Sequence, residues 1–217
     1  MYAQHVPLIR AHALASPSGL ADVLAFVVVT IRVPFGRVPQ QMRELKQSGE
    51  SASCLWGNKR AAYRAIVENH KALHAALTVL DYTGDALGNP GWVACEAIDE
   101  IVCAVPGLNI VKAAFVAQML GHNVACFDSR NLEVLGYDTG TQPFKANLQR
   151  GPDGRPTLKR ETRLRRIGDY VEATRESGGS EYWWDYWCGG IAPALGIDAN
   201  QVSQWHWDCV RKGSGIK

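Results

Sequence analysis

The chain has 217 residues, 47% of them hydrophobic and 20% charged, with a formal net charge of +2. This composition excludes a disordered chain and supplies enough apolar side chains for one large folded domain or two small ones. No apolar run approaches the roughly 20 residues that span a bilayer, and the first residues lack a basic stretch followed by an uninterrupted apolar one, so no secretory leader and no membrane partner are expected. Net charge near neutrality neither demands nor excludes nucleic acid, so the distribution of charge has to be read instead.

Residues 20–31 (LADVLAFVVVTI) form the longest apolar stretch. They read as a core element, a buried helix over 18–31 or a strand, because a short apolar run has no period that separates the two. Pro34 and Pro39 interrupt the chain after it. Residues 59–80 predict a helix, with Ala62, Ile66, Leu73 and Leu77 at helical spacing. Residues 81–91 (DYTGDALGNPG) are rich in turn formers and read as a loop. Helices follow over 92–104 and 110–120, then a long connection over 136–157 that is rich in Gly, Pro, Asp and Asn. A charged helix over 158–177 ends at Gly178-Gly179-Ser180, and 181–195 and 199–211 are aromatic-rich helical segments. No repeat and no strand hairpin appears, so the fold is expected to be all-α.

The six cysteines, at 54, 95, 103, 126, 188 and 209, form no C-x-x-C pair and match no zinc spacing. Their apolar neighbours make them reduced, buried thiols, and no metal or cofactor is expected.

Two features carry chemistry. The turn Val105-Pro106-Gly107-Leu108-Asn109 opens an apolar helix. A helix start presents backbone N–H groups that suit a phosphate, although the same pattern serves as an ordinary packing corner. Asp128 follows the apolar run Val124-Ala125-Cys126-Phe127. It reads either as an anion shielded from water or as the N-cap of a helix starting near Ser129.

VPGLNIVKAAFVAQMLGHNVACFD (residues 105–128) resembles the hairpin and aspartate signature of the helix-hairpin-helix (HhH-GPD) DNA glycosylase superfamily. Upstream, CLWGNKRAAYRAIVENHKAL (54–73) is similar to that family's Gly-Leu-Tyr-Asn-x-Lys-Ala segment. The likeness covers about residues 18–140. Asn109 stands in place of the second hairpin glycine, and Ser129-Arg130 in place of Thr-His. The loop to the aspartate is shorter, and the four-cysteine iron–sulfur signature of some members is absent, so no cluster is implied. These departures point to a divergent, phage-type branch.

The resemblance implies a two-lobed helix-hairpin-helix DNA glycosylase-like fold. A hairpin domain would span 18–140, and 141–217 with 1–17 would form a second lobe. It implies cleavage of the N-glycosidic bond of a base flipped out of double-stranded DNA by an intracellular, cytoplasmic monomer in a bacterial or phage-infected cell. Asp128 would stabilise the sugar cation, and Lys112 would attack C1′ as an amine or, alternatively, contact a phosphate. Gly107, Asn109 and Arg130 would hold the DNA backbone. The run RGPDGRPTLKRETRLRR (150–166) has seven basic residues and two acids. Its Lys159, Arg160 and Arg163 would track phosphates, or form a solvated helix face. The aromatics of 182–187 and 205–207 read mainly as core, with Trp184 and Trp187 as base-pocket rings. Two other functions fit the same likeness: hypermodification of an altered thymine that stays in the DNA, and DNA binding without catalysis.

Overall fold

In the computed structural model the long apolar stretch is a helix, not a strand. The structure describes residues 1–87, 90–134, 136 and 147–217, without the side chains of 83–87, Arg130, Val134 and Asn200. Among the described residues the chain is all-helical, apart from one isolated bridge between Arg150 and Pro156. Helix α1 (Tyr2–Ala15) leads into α2 (Pro17–Thr30), α3 (Val38–Ser48), α4 (Asn58–Leu87), α5 (Pro90–Ala104) and α6 (Ile110–Met119). Then come α7 (Ser129–Val134), α8 (Arg160–Glu176), α9 (Gly179–Tyr186), a π turn (Trp187–Ile191), α10 (Ala192–Ala194) and α11 (Ala199–Arg211).

α2 is buried from Gly19 to Val29 on every side. Three consecutive valines lower helix propensity by a few tenths of a kcal/mol each, while full burial of each such side chain contributes about 1.5–3 kcal/mol. Burial decides, and a helix apolar all round is a core helix. Its start is set locally: Ser16 accepts from the Gly19 N–H at 3.1 Å, and Pro17 fills the first position, where no donor is lost. Gly19 lets α1 come close, since a Cβ there would lie 2.0 Å from the His12 carbonyl oxygen. Around α2 pack α1, α3, α4, α6 and α11, and one apolar core runs without a break from Val6 to Ile216.

Two expectations change, and the first residues add a helix. The segment read as a loop at 81–91 continues α4 to Leu87. Pro39 does not end structure but opens α3, because proline is tolerated in a first turn. The first residues form α1, whose buried face includes His5 beside Val6, Ile9 and Ala13. The remaining helices agree with the sequence reading to within a few residues, and residues 137–146 of the long connection lie outside those described.

Asp22 is the one acid inside α2's buried stretch. Its Oδ1 accepts from the Ser214 N–H (2.6 Å) and hydroxyl (2.7 Å), and its Oδ2 meets His12 Nε2 at 3.1 Å. The carboxylate thereby fastens the C-terminal segment and α1 to the central helix. Asp22→Ala leaves those buried donors unmatched and is expected to lower unfolding stability by about 2–4 kcal/mol in urea titration. A loss under 1 kcal/mol would remove Asp22 as the fastening point.

Candidate functional site

The turn between α5 and α6 is built as its residue types dictate. Val105 N–H closes on the Ile101 carbonyl, Leu108 N–H on that of Val105, and Leu108 is fully buried. Gly107 sits at φ +87, where a side chain would be strained. Asn109 caps α6 by accepting from the Lys112 N–H at 3.2 Å. Its side chain thereby uses one of the donors a phosphate would otherwise meet. Arg150 ties the turn down by donating to the carbonyls of Val102, Leu108 and Gly154.

Asp128 lies at the end of a non-helical segment held from two sides. The Tyr170 hydroxyl of α8 accepts from the Phe127 N–H and donates to the Ala125 carbonyl, each at 2.8 Å. Asn131 Nδ2 donates to the Cys126 carbonyl at 2.6 Å. The two oxygens of Asp128 then differ in role. Oδ1 accepts from the Asn131 N–H at 3.3 Å as the cap of α7, while Oδ2 lies 3.9 Å from Lys112 Nζ. Both side chains are partly exposed, 21% for Lys112 and 30% for Asp128. Lys112 Nζ also reaches the Cys126 sulfur at 3.7 Å. Burial pushes that thiol up to about 11, which keeps it protonated at neutral pH.

The Lys112–Asp128 pair stands on the wall between two cavities. The larger, about 490 Å³, is lined by both residues, by the segment from Thr30 to Phe35, and by an aromatic shell that includes Phe115, Trp184 and Trp187. The smaller, about 400 Å³, is lined by the same pair, by Gly107 and Asn109 of the turn, and by Trp56, Asn58 and Lys59 from the start of α4. The two motif segments of the sequence, 54–73 and 105–128, therefore meet at one place. Arg32 lines both cavities and is the one non-glycine residue with positive φ (+53) among those described.

Several residues here were not singled out from sequence. Lys59 is buried, donates to the Val29 carbonyl at 2.9 Å and lies over the Trp56 ring; burial lowers its ammonium from 10.5 to about 8. Gln118 donates to the Ser180 carbonyl at 2.8 Å. With Lys112 it is one of only two polar side chains in the apolar α6, a usable signal. His206 is packed among Phe26, Phe35, Phe115, Trp184 and Trp187 and lines the larger cavity.

The basic run divides. Arg163 binds both oxygens of Asp99 (2.7 and 3.0 Å) and the Leu158 carbonyl, and Arg160 pairs with Glu96. Glu96 and Asp99 are buried acids on α5 and require these cations. With Arg150 spent on the turn, three cations of the run over 150–166 serve the fold, Arg160 while its side chain stays 60% exposed. Lys159 is exposed at the start of α8, and the side chain of Arg130 lies outside the described residues. Trp184 is buried, donating to the Ser203 hydroxyl at 3.1 Å, while Trp187 is half-buried.

All six cysteines are free thiols. Among the described residues no cluster of three or more His, Cys, Asp or Glu is arranged to hold a metal ion, and no helix is long and apolar enough to cross a membrane. Comparison with protein-family models, curated proteins and solved structures finds no significant match.

Burial lowers the His206 imidazolium to about 4. The unfolded ring takes its proton near pH 6.5 and the folded ring only near pH 4. Stability is therefore unaffected above pH 6.5 and falls as pH drops through that window, by up to about 3 kcal/mol from this group. Urea unfolding at pH 7 and pH 4.5 is expected to show a smaller difference in His206→Phe than in the parent chain. An unchanged difference would mean the ring protonates normally in the fold.

Proposed function

We propose that the chain binds double-stranded DNA and breaks the N-glycosidic bond of a base turned out of the duplex into the larger cavity. The observation that carries this reading is the Lys112–Asp128 pair, 3.9 Å apart, on the wall between an aromatic chamber and the chamber lined by the Gly107–Asn109 turn. An aromatic chamber suits a flat base by stacking. A glycine turn at a helix start suits the phosphate of the same nucleotide. The C1′ carbon of that nucleotide would then lie at the boundary, beside a carboxylate and an amine.

As the C1′–N bond breaks, its electron pair leaves with the base and positive charge develops on the sugar. Asp128 Oδ2 stabilises that charge from a site partly shielded from water. In the hydrolytic route water forms the new C1′–O bond, and its protons end on the departing base and on solvent. In the lyase route the Lys112 ammonium first gives a proton to solvent, its amine then forms a C1′–N bond instead, and loss of a second amine proton and opening of the sugar give an imine. The helical fold with two cavities on one wall is compatible with the two-lobed helix-hairpin-helix architecture that the sequence likeness implies, and that architecture is part of the proposal.

Asp128→Asn separates catalysis from folding. Asparagine keeps the oxygen that caps α7 and deletes the charge. Duplexes bearing uracil, 5-hydroxymethyluracil, 8-oxoguanine, thymine glycol, alkylated purines or mismatches are incubated with the chain and scored with and without hot alkali. Alkali-labile product on at least one duplex is expected, reduced about 100-fold or more in Asp128→Asn while urea stability changes by under 1 kcal/mol. A borohydride-trapped adduct lost in Lys112→Gln would assign the lyase route. A changed base that stays in the strand would replace cleavage with base modification. Binding without product, unchanged in Asp128→Asn, would leave a DNA-binding protein.

Arg32 extends the reading. A side chain held at φ +53 costs about 1–2 kcal/mol and persists where function needs it. We assign it a phosphate contact at the mouth of both cavities. Arg32→Gly is expected to raise stability by about 0.5–1 kcal/mol and to weaken duplex binding in a fluorescence anisotropy titration. Unchanged binding would make the strain unrelated to DNA.

A further inference from the structure

His206 offers the larger cavity one edge only. Its Nδ1 lies 2.8 Å from the Val202 carbonyl oxygen. A carbonyl only accepts, so Nδ1 carries the ring proton. With that side turned to the backbone of α11, the opposite side, bearing Nε2, is the one left to line the cavity. The ring cannot turn freely. Phe35 stacks on it at 4.8 Å, Trp184 lies at 4.7 Å, and Phe26 and Phe115 close on it edge-on at 5.4 and 5.9 Å. Because burial keeps the ring uncharged at neutral pH, Nε2 holds a lone pair and no proton. Gln118 adds a second acceptor, since its amide donates one N–H to the Ser180 carbonyl and its oxygen is not part of that bond. The polar groups on this side of the chamber are therefore biased toward accepting.

We infer that His206 determines specificity in the proposed base pocket, its Nε2 lone pair accepting a hydrogen bond from an N–H group on the buried edge of the base. This rests on the base-pocket reading. A base presenting an acceptor or a methyl at that point would leave the lone pair unmatched in an aromatic chamber. Such a base is disfavoured about tenfold or more. The selected class is a base with a ring imide or an exocyclic amine directed inward.

The test uses the full chain and the fluorescence of its tryptophans, three of which, Trp183, Trp184 and Trp187, line the chamber. It is titrated with matched pairs: 1-methyluracil and 1,3-dimethyluracil, 9-methyladenine and its N6,N6-dimethyl form, 1-methylcytosine and its N4,N4-dimethyl form. At least one N–H member is expected to bind about tenfold tighter than its methylated partner, and His206→Phe to abolish that preference. A preference that survives in His206→Phe reflects size alone and overturns the inference, as does equal binding of every pair. A second measurement needs no variant: the Nε2 nitrogen resonance of the parent chain is expected to report an unprotonated nitrogen, shifted by the preferred base and not by its methylated form. Nε2 found protonated at pH 7 would overturn the inference while leaving the pocket intact. Failure of every probe to bind would overturn the base pocket itself, and this inference with it.

Discussion

The enclosure of α2 is the constraint from which the rest follows. A helix with no polar face has to be surrounded, and it is, by α1, α3, α4, α6 and α11. Such a helix has two ends where the chain must leave the core. At the C-terminal end the chain passes through Ile31 and the strained Arg32 to Phe35, and this exit forms part of the wall of both cavities. Lys59 reaches into the same end, donating to the Val29 carbonyl that the helix can no longer satisfy. The site thus lies where the central helix runs out of hydrogen bonds and the surrounding helices cannot close over it.

Four polar side chains around the larger cavity share one design. Each spends one atom on the fold and keeps another. Asp128 caps α7 with Oδ1 and turns Oδ2 to Lys112; Gln118 gives Nε2 to Ser180; His206 gives Nδ1 to Val202; Asn131 gives Nδ2 to Cys126. A side chain anchored in this way has lost its rotamer freedom during folding rather than during binding, which lowers the entropy lost when a ligand arrives. The anchors are also indirect. Tyr170 of α8 fixes the backbone that carries Asp128, and Ser203 of α11 holds the indole of Trp184 while bonding His5 of α1 at 2.7 Å. Residues far apart in the chain therefore set the shape of one chamber.

Local signals were legible where local chemistry decides. The α5–α6 turn could be read from Pro106-Gly107 and the apolar helix after it, and Gly107 does adopt the conformation only glycine favours. α1 and α3 were not legible. In α1 a histidine occupies a core-facing position, acceptable only because Ser203 and Gln204, some 200 residues away in sequence, complete its bonds. In α3 a proline that reads as a breaker sits where proline is tolerated. Asp128 illustrates the limit of either-or reading. The sequence offers capping or a water-shielded anion as alternatives, and the geometry lets one carboxylate cap with one oxygen and face Lys112 with the other. The tautomer of His206 was out of reach, since it depends on which backbone oxygen the ring meets in three dimensions.

The fate of the basic run bears on how such a protein would engage DNA. Seven cations in seventeen residues read as an electrostatic track, but Glu96 and Asp99, 64 positions away, are buried and claim Arg160 and Arg163, while Arg150 holds the turn. Arg150 and Arg163 are turned inward and Arg160, though exposed, is paired with Glu96, so in a chain with a net charge of +2 fewer of the run's cations are free to attract a polyanion. On the reading that DNA is the partner, affinity would then rest less on neutralising phosphates, whose contribution falls steeply with salt, and more on capture of one base in the aromatic chamber, whose contribution does not. On that reading the protein would bind ordinary duplex weakly and would hold a nucleotide once it has left the stack. Selectivity is then concentrated in the few anchored atoms that line the chamber.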